Sequence, residues 1–187
     1  MEILFLEELT KRGFSRARVF NEIVKLEKEF FPQYHYNLQD IKKFCKQSNC
    51  CTLIFIDKNR IAGYLIPLLF KNKDYLQILT IAVNKNYQKK GFGTELIKKC
   101  EEIAKALSLK MILVRAGNSH PILKTLENLR YKPMDLKLIN GFIDEGVFSP
   151  NDKIKKMSNL FPKAYLITKD IGKKTPYSFI PMIKYIR

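Results

Sequence analysis

Ile78-Leu79-Thr80-Ile81-Ala82-Val83-Asn84-Lys85-Asn86-Tyr87-Gln88-Lys89-Lys90-Gly91-Phe92-Gly93-Thr94-Glu95-Leu96-Ile97 is the stretch on which the fold turns. Its apolar, β-branched start continues a strand pattern from Tyr75 that ends near Asn84. A short basic loop follows, Gln88 to Gly93. From about Thr94 the period becomes helical. Leu96, Ile97, Cys100, Ile103, Ala104 and Leu107 fall on one face, with Glu95, Lys98, Lys99, Glu102 and Lys105 on the other. Gly91 and Gly93 let the backbone turn tightly and approach a ligand closely. The first N–H groups of a helix lack internal partners, and the helix dipole adds positive potential there. With Lys89 and Lys90 alongside, the loop reads as an anion site, suited to a diphosphate.

A G-x-G alone is more often a plain turn before a helix. Here the preceding strand, the two lysines and the long amphipathic helix favour the anion reading. The loop is not a Walker loop, because no G-K-[ST] follows. It is not a dinucleotide fingerprint either, because Leu96 stands where the third glycine would be.

Toward the N-terminus, Lys71 to Asp74 reads as a turn, preceded by a strand from Ile61 to Phe70. Pro67 within that strand implies a bulge or an edge. Asp57 to Asn59 turns back to a strand at Thr52 to Ile56, and residues 3–6 form a first short strand. Between them, residues 16–30 carry Val19, Phe20, Ile23, Val24, Glu27 and Phe30 at helical spacing, and Pro32 stops that helix. Asn37 caps a second helix through Asp40, Ile41, Phe44 and Cys45. Toward the C-terminus, Lys110 to Arg115 is a strand and Pro121 to Leu129 a short helix. Residues 135–139 and 164–171 read as two more strands around a polar insertion at about 144–162. The predicted fold is α/β: an antiparallel meander, then strand–helix–strand–helix, then further strands. The expected organisation is one domain over 1–172 and a basic, aromatic tail over 173–187.

Hydrophobic residues make up 46% of the 187, enough for a core. No apolar run approaches the roughly 18 residues of a membrane span. The N-terminus lacks the basic start of a secretory signal, so a cytoplasmic protein without a membrane partner is expected. Cys45, Cys50, Cys51 and Cys100 include no C-x-x-C pair, and only His35 and His120 could join them. No metal is expected, and reduced thiols fit the cytoplasm. The net charge of +16 makes an anionic macromolecule such as RNA a partner to consider. Lysines spread along the whole chain also fit a general compositional habit.

Gln88-Lys89-Lys90-Gly91-Phe92-Gly93 resembles the Q/R-x-x-G-x-G/A motif of the GNAT-family acetyltransferases. Leu79 to Val83 resembles that family's central strand, and Lys110 to Val114 the strand that splays from it. Leu129-Arg130-Tyr131 is similar to the family's common Leu-Gly-Phe. The resemblance is good over about 75–131. It implies a single mixed sheet, splayed at its centre, and acetyl-CoA as co-substrate. Loop amides from Gln88, Lys89, Lys90, Gly91, Phe92 and Gly93, with Thr94, would hold the pyrophosphate. The backbone of Ile81, Ala82 and Val83 would pair with the pantetheine arm, and an amide there would polarise the thioester carbonyl. Asn118 or Ser119 would lie near the far end of that arm.

The resemblance also shows departures. An amine of pKa ~10.4 is neutral about once in 10³ molecules at pH 7, so a base helps. The family's usual glutamate position is here Gln77, and its usual tyrosine acid position is Leu126. Asp74 and His120 are weaker substitutes, since Asp74 sits in a turn and His120 can simply cap a helix. Tyr131 matches a core Phe. The implied activity is acetyl transfer to a primary amine, small or on a protein, by direct attack in a ternary complex. Two alternatives stand beside it: a weakly active or non-catalytic acyl-CoA-binding module, and an acetyltransferase acting on an RNA- or ribosome-associated amine.

Overall fold

The long apolar runs at Arg60–Phe70 and Tyr75–Val83 become the two central strands of the first half of the chain, covered by helices on both faces. In the computed structural model, residues 1–33, 35–117, 122–144, 153–156, 165–169 and 177–186 are described. The chain divides into two compact units, residues 1–110 with the last two residues, and residues 111–185.

The first unit holds four antiparallel strands in the order β1 (Glu2–Phe5), β2 (Leu53–Asp57), β3 (Arg60–Phe70), β4 (Tyr75–Val83). Side chains alternate between the two faces of a strand. Ile54, Ile56, Tyr64, Ile66 and Ala82 pack on one face against α2 (Arg16–Phe30) and α3 (Leu38–Lys46), which contribute Val19, Ile23, Leu26 and Ile41. Phe55 and Val83 meet the start of α4 (Phe92–Ala106) on the other. Cover on both faces is why β2 and β3 read as nearly unbroken apolar runs, with no polar alternation. Asn37 caps α3, its side chain accepting from Gln39 N at 2.8 Å and Asp40 N at 3.1 Å.

Short α1 (Leu6–Lys11) escaped the sequence reading, because six residues leave no periodic pattern. Its end was legible in principle. Gly13, at φ +90°, donates to Thr10 O, and Phe14 N reaches back to Leu9 O. Ser108 after α4 and Arg130 after α5 (Ile122–Asn128) repeat this closure at φ 53° and 66°. In each case the next residue, Phe14, Leu109 or Tyr131, is buried. Arg130 thus takes the left-handed conformation at the place where the resembling family has glycine.

The second unit contains β5 (Met111–Gly117), α5, β6 (Lys132–Pro133), α6 (Leu136–Asp144), β7 (Lys153–Lys156), β8 (Tyr165–Lys169) and β9 (Tyr177–Tyr185). The strands run β5-β9-β8-β7, with β6 also on β9, and each pair is antiparallel. Two expectations are corrected here. Residues 135–139 do not form a strand. Asp135 caps a helix instead, accepting from Leu138 N at 2.8 Å, and Ile139 and Phe142 bury one helical stripe. Of the strand expected over 164–171, the described residues Tyr165–Lys169 form β8. The stretch 173–187, read as a tail, contains β9, whose Ile180, Met182 and Ile183 are core residues paired with β5. Pro181 and Lys184 between its apolar residues hid the strand. The chain order β4, α4, β5, α5 is the expected strand–helix–strand–helix.

Candidate active site

The loop after β4 is fixed by neighbours on three sides. The Gln88 side chain donates its amide to Val83 O at 2.8 Å, tying the loop back to the end of β4. Asn84 accepts from Asn86 N at 3.1 Å and so caps the 3-10 turn Lys85–Tyr87. Tyr87 donates to Asp57 at 3.0 Å, and its ring meets Phe55 edge-on at 5.8 Å. Phe92 stacks on the same Phe55 at 4.3 Å, so β2 anchors both the turn and the start of α4. Lys89, at φ 59°, and Gly91, at φ +88°, turn the chain into the helix.

Gly91 is the N-cap of α4, and Glu95 N donates to Gly91 O at 3.0 Å. The amides of Phe92, Gly93 and Thr94 precede that first helical bond and face outward from the helix end. A Cβ on Gly91 would meet nothing within 4 Å, and one on Gly93 only Val83 Cγ2 at 3.9 Å. The helix itself therefore does not require bare glycine at 93 for space. The helix begins two residues earlier than expected, at Phe92. Lys89 is exposed, and the Lys90 ammonium bonds Asn86 O at 3.0 Å at the loop's edge.

In β4, Ile81, Ala82 and Val83 pair with Leu65, Tyr64 and Gly63 of β3. The register then slips between Ile66 and Pro67, so Leu79 has no partner on β3. Pro67, expected at a bulge or edge, sits at that bulge. The extra residue bends β4 and re-aims its backbone. Leu79 and Ile81 are the two residues of β4 that keep partial exposure.

Gln77 is buried opposite Leu68. Leu126 lies fully buried in α5, and Tyr131 is buried as a core residue. Asp74 is engaged with Lys110: their side chains pair at 2.6 Å, and Asp74 O accepts Lys110 N at 2.7 Å. Asn118, Ser119 and His120 lie outside the described residues. Phe30, Phe31 and Tyr36 pack against the core under α2 and α3.

One ionisable group was missed. Glu27, 1% exposed, receives hydrogen bonds from the hydroxyls of Tyr64 and Thr80 and from Tyr36 N at 3.0 Å. Burial raises its pKa above the usual carboxylate range, against the opposing pull of those donors. Sequence reasoning had Glu27 on the apolar stripe of its helix, and a carboxylate on such a stripe was the available signal.

The cysteines form a second polar cluster. Thr52 Oγ1 lies 3.2 Å from Cys45 Sγ and 3.3 Å from Cys50 Sγ. The hydrogen bond between the two thiols holds Cys50 below the ordinary thiol range and Cys45 above it. Burial pushes Cys51 up to about 12 and Cys100 well up. At pH 8 an alkylating reagent is expected to modify Cys50 about tenfold or more faster than Cys51, with Cys100 last. Peptide mapping by mass spectrometry reads the order. Equal labelling of Cys50 and Cys51 would contradict the paired arrangement. No group of three His, Cys, Asp or Glu among the described residues could hold a metal ion. Likewise, no helix among them is long and apolar enough to cross a membrane.

Residues 17–122 match the model of the Acetyltransferase (GNAT) family. No curated protein matches the chain by sequence. Solved structures similar to it include the ribosomal-protein-S18-alanine N-acetyltransferase from Escherichia coli. That pair has a TM-score of 0.66 and 12% identity, covering 99% of this chain and 93% of the other. A Bacillus subtilis acetyltransferase in complex with CoA has a TM-score of 0.60 and 17% identity, covering 100% and 99%. Arabidopsis thaliana NAA60, in complex with a bisubstrate analogue, has a TM-score of 0.66 and 10% identity, covering 100% and 99%. At these identities the likeness concerns the fold.

Proposed function

The chain belongs to the GNAT acetyltransferase family, and from that premise we propose that it transfers the acetyl group of acetyl-CoA to a primary amine. One observation carries the reading: anion-ready amides at the Gly91-capped start of α4 are clamped by Gln88 to the end of β4. The residues fit the group. Phe92, Gly93 and Thr94 supply amides, Gly91 and Gly93 leave room for close approach, and Lys89 adds charge. The backbone of Ile81 to Val83, past the bulge, would pair with the pantetheine arm. When bound, acetyl-CoA supplies an activated thioester carbonyl. An amide of this bent strand would stabilise charge on the carbonyl oxygen as the amine attacks directly. The amine and the thioester would be held together in a ternary complex, which supplies proximity.

Gln77 and Leu126 favour a second reading, an acyl-CoA-binding module with little or no turnover. Release of CoA with a panel of small amines and lysine peptides separates the two. The enzyme reading expects amine-dependent release. Acetyl-CoA binding without turnover on any amine supports the module.

A further inference from the structure

We infer that Glu27 takes up the proton of the attacking amine, relayed through the Thr80 hydroxyl, and so replaces the carboxylate that β4 lacks at Gln77. This rests on the acetyltransferase reading. β4 reads Tyr75-Leu76-Gln77-Ile78-Leu79-Thr80-Ile81-Ala82-Val83, with Gln77 and Thr80 its only amide or aliphatic hydroxyl side chains. Gln77 cannot accept a proton near neutral pH. Thr80 follows the bulged Leu79 and directly precedes the stretch proposed to hold the pantetheine. Its hydroxyl hydrogen-bonds Glu27, and Tyr64 OH lies 3.2 Å from the same hydroxyl. Tyr36 N holds the other carboxylate oxygen from the α2–α3 connection.

An isolated carboxylate in an apolar core costs several kcal/mol unless hydrogen-bonded. Glu27 has three donors, and it sits among Ile23, Leu26 and Tyr64. A clamp between α2 and the sheet needs no group that titrates. Here the acceptor of both hydroxyls is also a group whose proton affinity burial has raised toward that of a useful base. The groups around it are Tyr64 from β3, Thr80 from β4, and His35 and Tyr36 from the α2–α3 connection.

The step balances as follows. The amine nitrogen forms a bond to the thioester carbonyl carbon, the C–S bond breaks, and CoA leaves as a thiolate. Before the attack, one proton of the ammonium passes to Thr80 Oγ1 while the Thr80 proton moves to Glu27, which leaves a neutral amine; after it, the second surplus proton on nitrogen leaves to water. The protonated Glu27 then returns its proton by the same hydroxyl to the thiolate or to water.

The test is the pH profile of kcat/KM for Glu27→Gln with two acceptors, an alkylamine and a fluorinated ethylamine that is already neutral at pH 7. The expected loss is about 10²-fold or more for the alkylamine at pH 7, shrinking as pH rises, and under about tenfold for the neutral amine. The thermal shift given by acetyl-CoA is expected to be unchanged. Equal losses for both amines at every pH would overturn the relay and leave Glu27 a structural clamp. Glutamine has one acceptor oxygen where the carboxylate uses two, so either Tyr36 N or the two hydroxyls lose their acceptor and that variant can fail to fold. Thr80→Val and Thr80→Ser carry the same test: serine is expected to retain the wild-type profile and valine to lose it. Equal behaviour of the two overturns the proposal. If the wild-type chain binds acetyl-CoA but turns over no amine, the enzyme reading fails and the relay with it. If it turns over amines and Glu27→Gln changes nothing, only the relay fails.

Discussion

Gly93→Glu is expected to leave the free protein as stable as wild type or slightly more so, and to abolish its stabilisation by acetyl-CoA. Gly93 is the second residue of α4, and a Cβ there meets only Val83 Cγ2 at 3.9 Å. Its φ is not in the left-handed range, so no strain opposes the change. Replacing a helical glycine recovers up to about 1 kcal/mol. An acid in the first turn adds about 0.3–1 kcal/mol through the dipole. The same carboxylate would stand where the diphosphate is proposed to bind. Two like charges about 4 Å apart repel by about 4 kcal/mol at an effective dielectric near 20, so affinity is expected to fall at least about 100-fold. Acetyl-CoA at about 100 times its Kd should stabilise the wild type by about 2.7 kcal/mol. In a chain of this length that corresponds to a Tm rise of roughly 5–10 °C. Thermal denaturation with and without acetyl-CoA reads both halves. Gly93→Ala, within the motif's own range, is the control: it should keep the acetyl-CoA shift and gain no more than about 1 kcal/mol in the free protein. A full thermal shift in Gly93→Glu would mean that the diphosphate binds elsewhere.

That experiment probes the part of the molecule most legible in the sequence. β4 and α2 were read with their observed bounds because each carries a long periodic or β-branched run. Pro67 announced its bulge because proline cannot donate to a ladder. The loop from Gln88 to Gly93 and the helix after it were legible because their features are local: two glycines, two lysines and a helix start. What was illegible depends on partners distant in sequence. Glu27 meets Tyr64 and Thr80 across 37 and 53 residues, and nothing near it announces either contact. β9 is a strand because β5 and β8 offer it edges, although its own sequence mixes a serine, a proline and a lysine with apolar residues. α6 was misread because Leu136, Leu138 and Ile139 around Lys137 fit a strand as well as a helix over so short a stretch. The capping Asp135 was the local clue.

Gly63→Ala tests the other half of the proposed site, and here stability and binding should fall together. Gly63 of β3 pairs with Val83 of β4. A Cβ on it would sit 2.9 Å from Ala82 O, 3.2 Å from Val83 Cγ2 and 3.3 Å from Val83 Cα. Two of these three are backbone atoms, so no rotamer change relieves the contact and the strands must part by some tenths of an ångström. Overpacking of this kind costs about 1–3 kcal/mol, offset by roughly 0.5–1 kcal/mol from the lower chain entropy of alanine. The net loss expected is up to about 2 kcal/mol, or several degrees in Tm, by denaturant titration and thermal melt. The displacement falls on Val83, whose carbonyl holds Gln88 and through it the loop before α4. The acetyl-CoA shift should therefore shrink in Gly63→Ala as well. Gly93→Glu, by contrast, separates the two quantities, losing ligand stabilisation at constant fold stability. If Gly63→Ala lost stability but kept the full acetyl-CoA shift, the Gln88 link would not transmit the geometry of β4 to the loop. The two variants together thus test whether the strand end and the helix start act as one unit, with the Gln88 amide as the link between them.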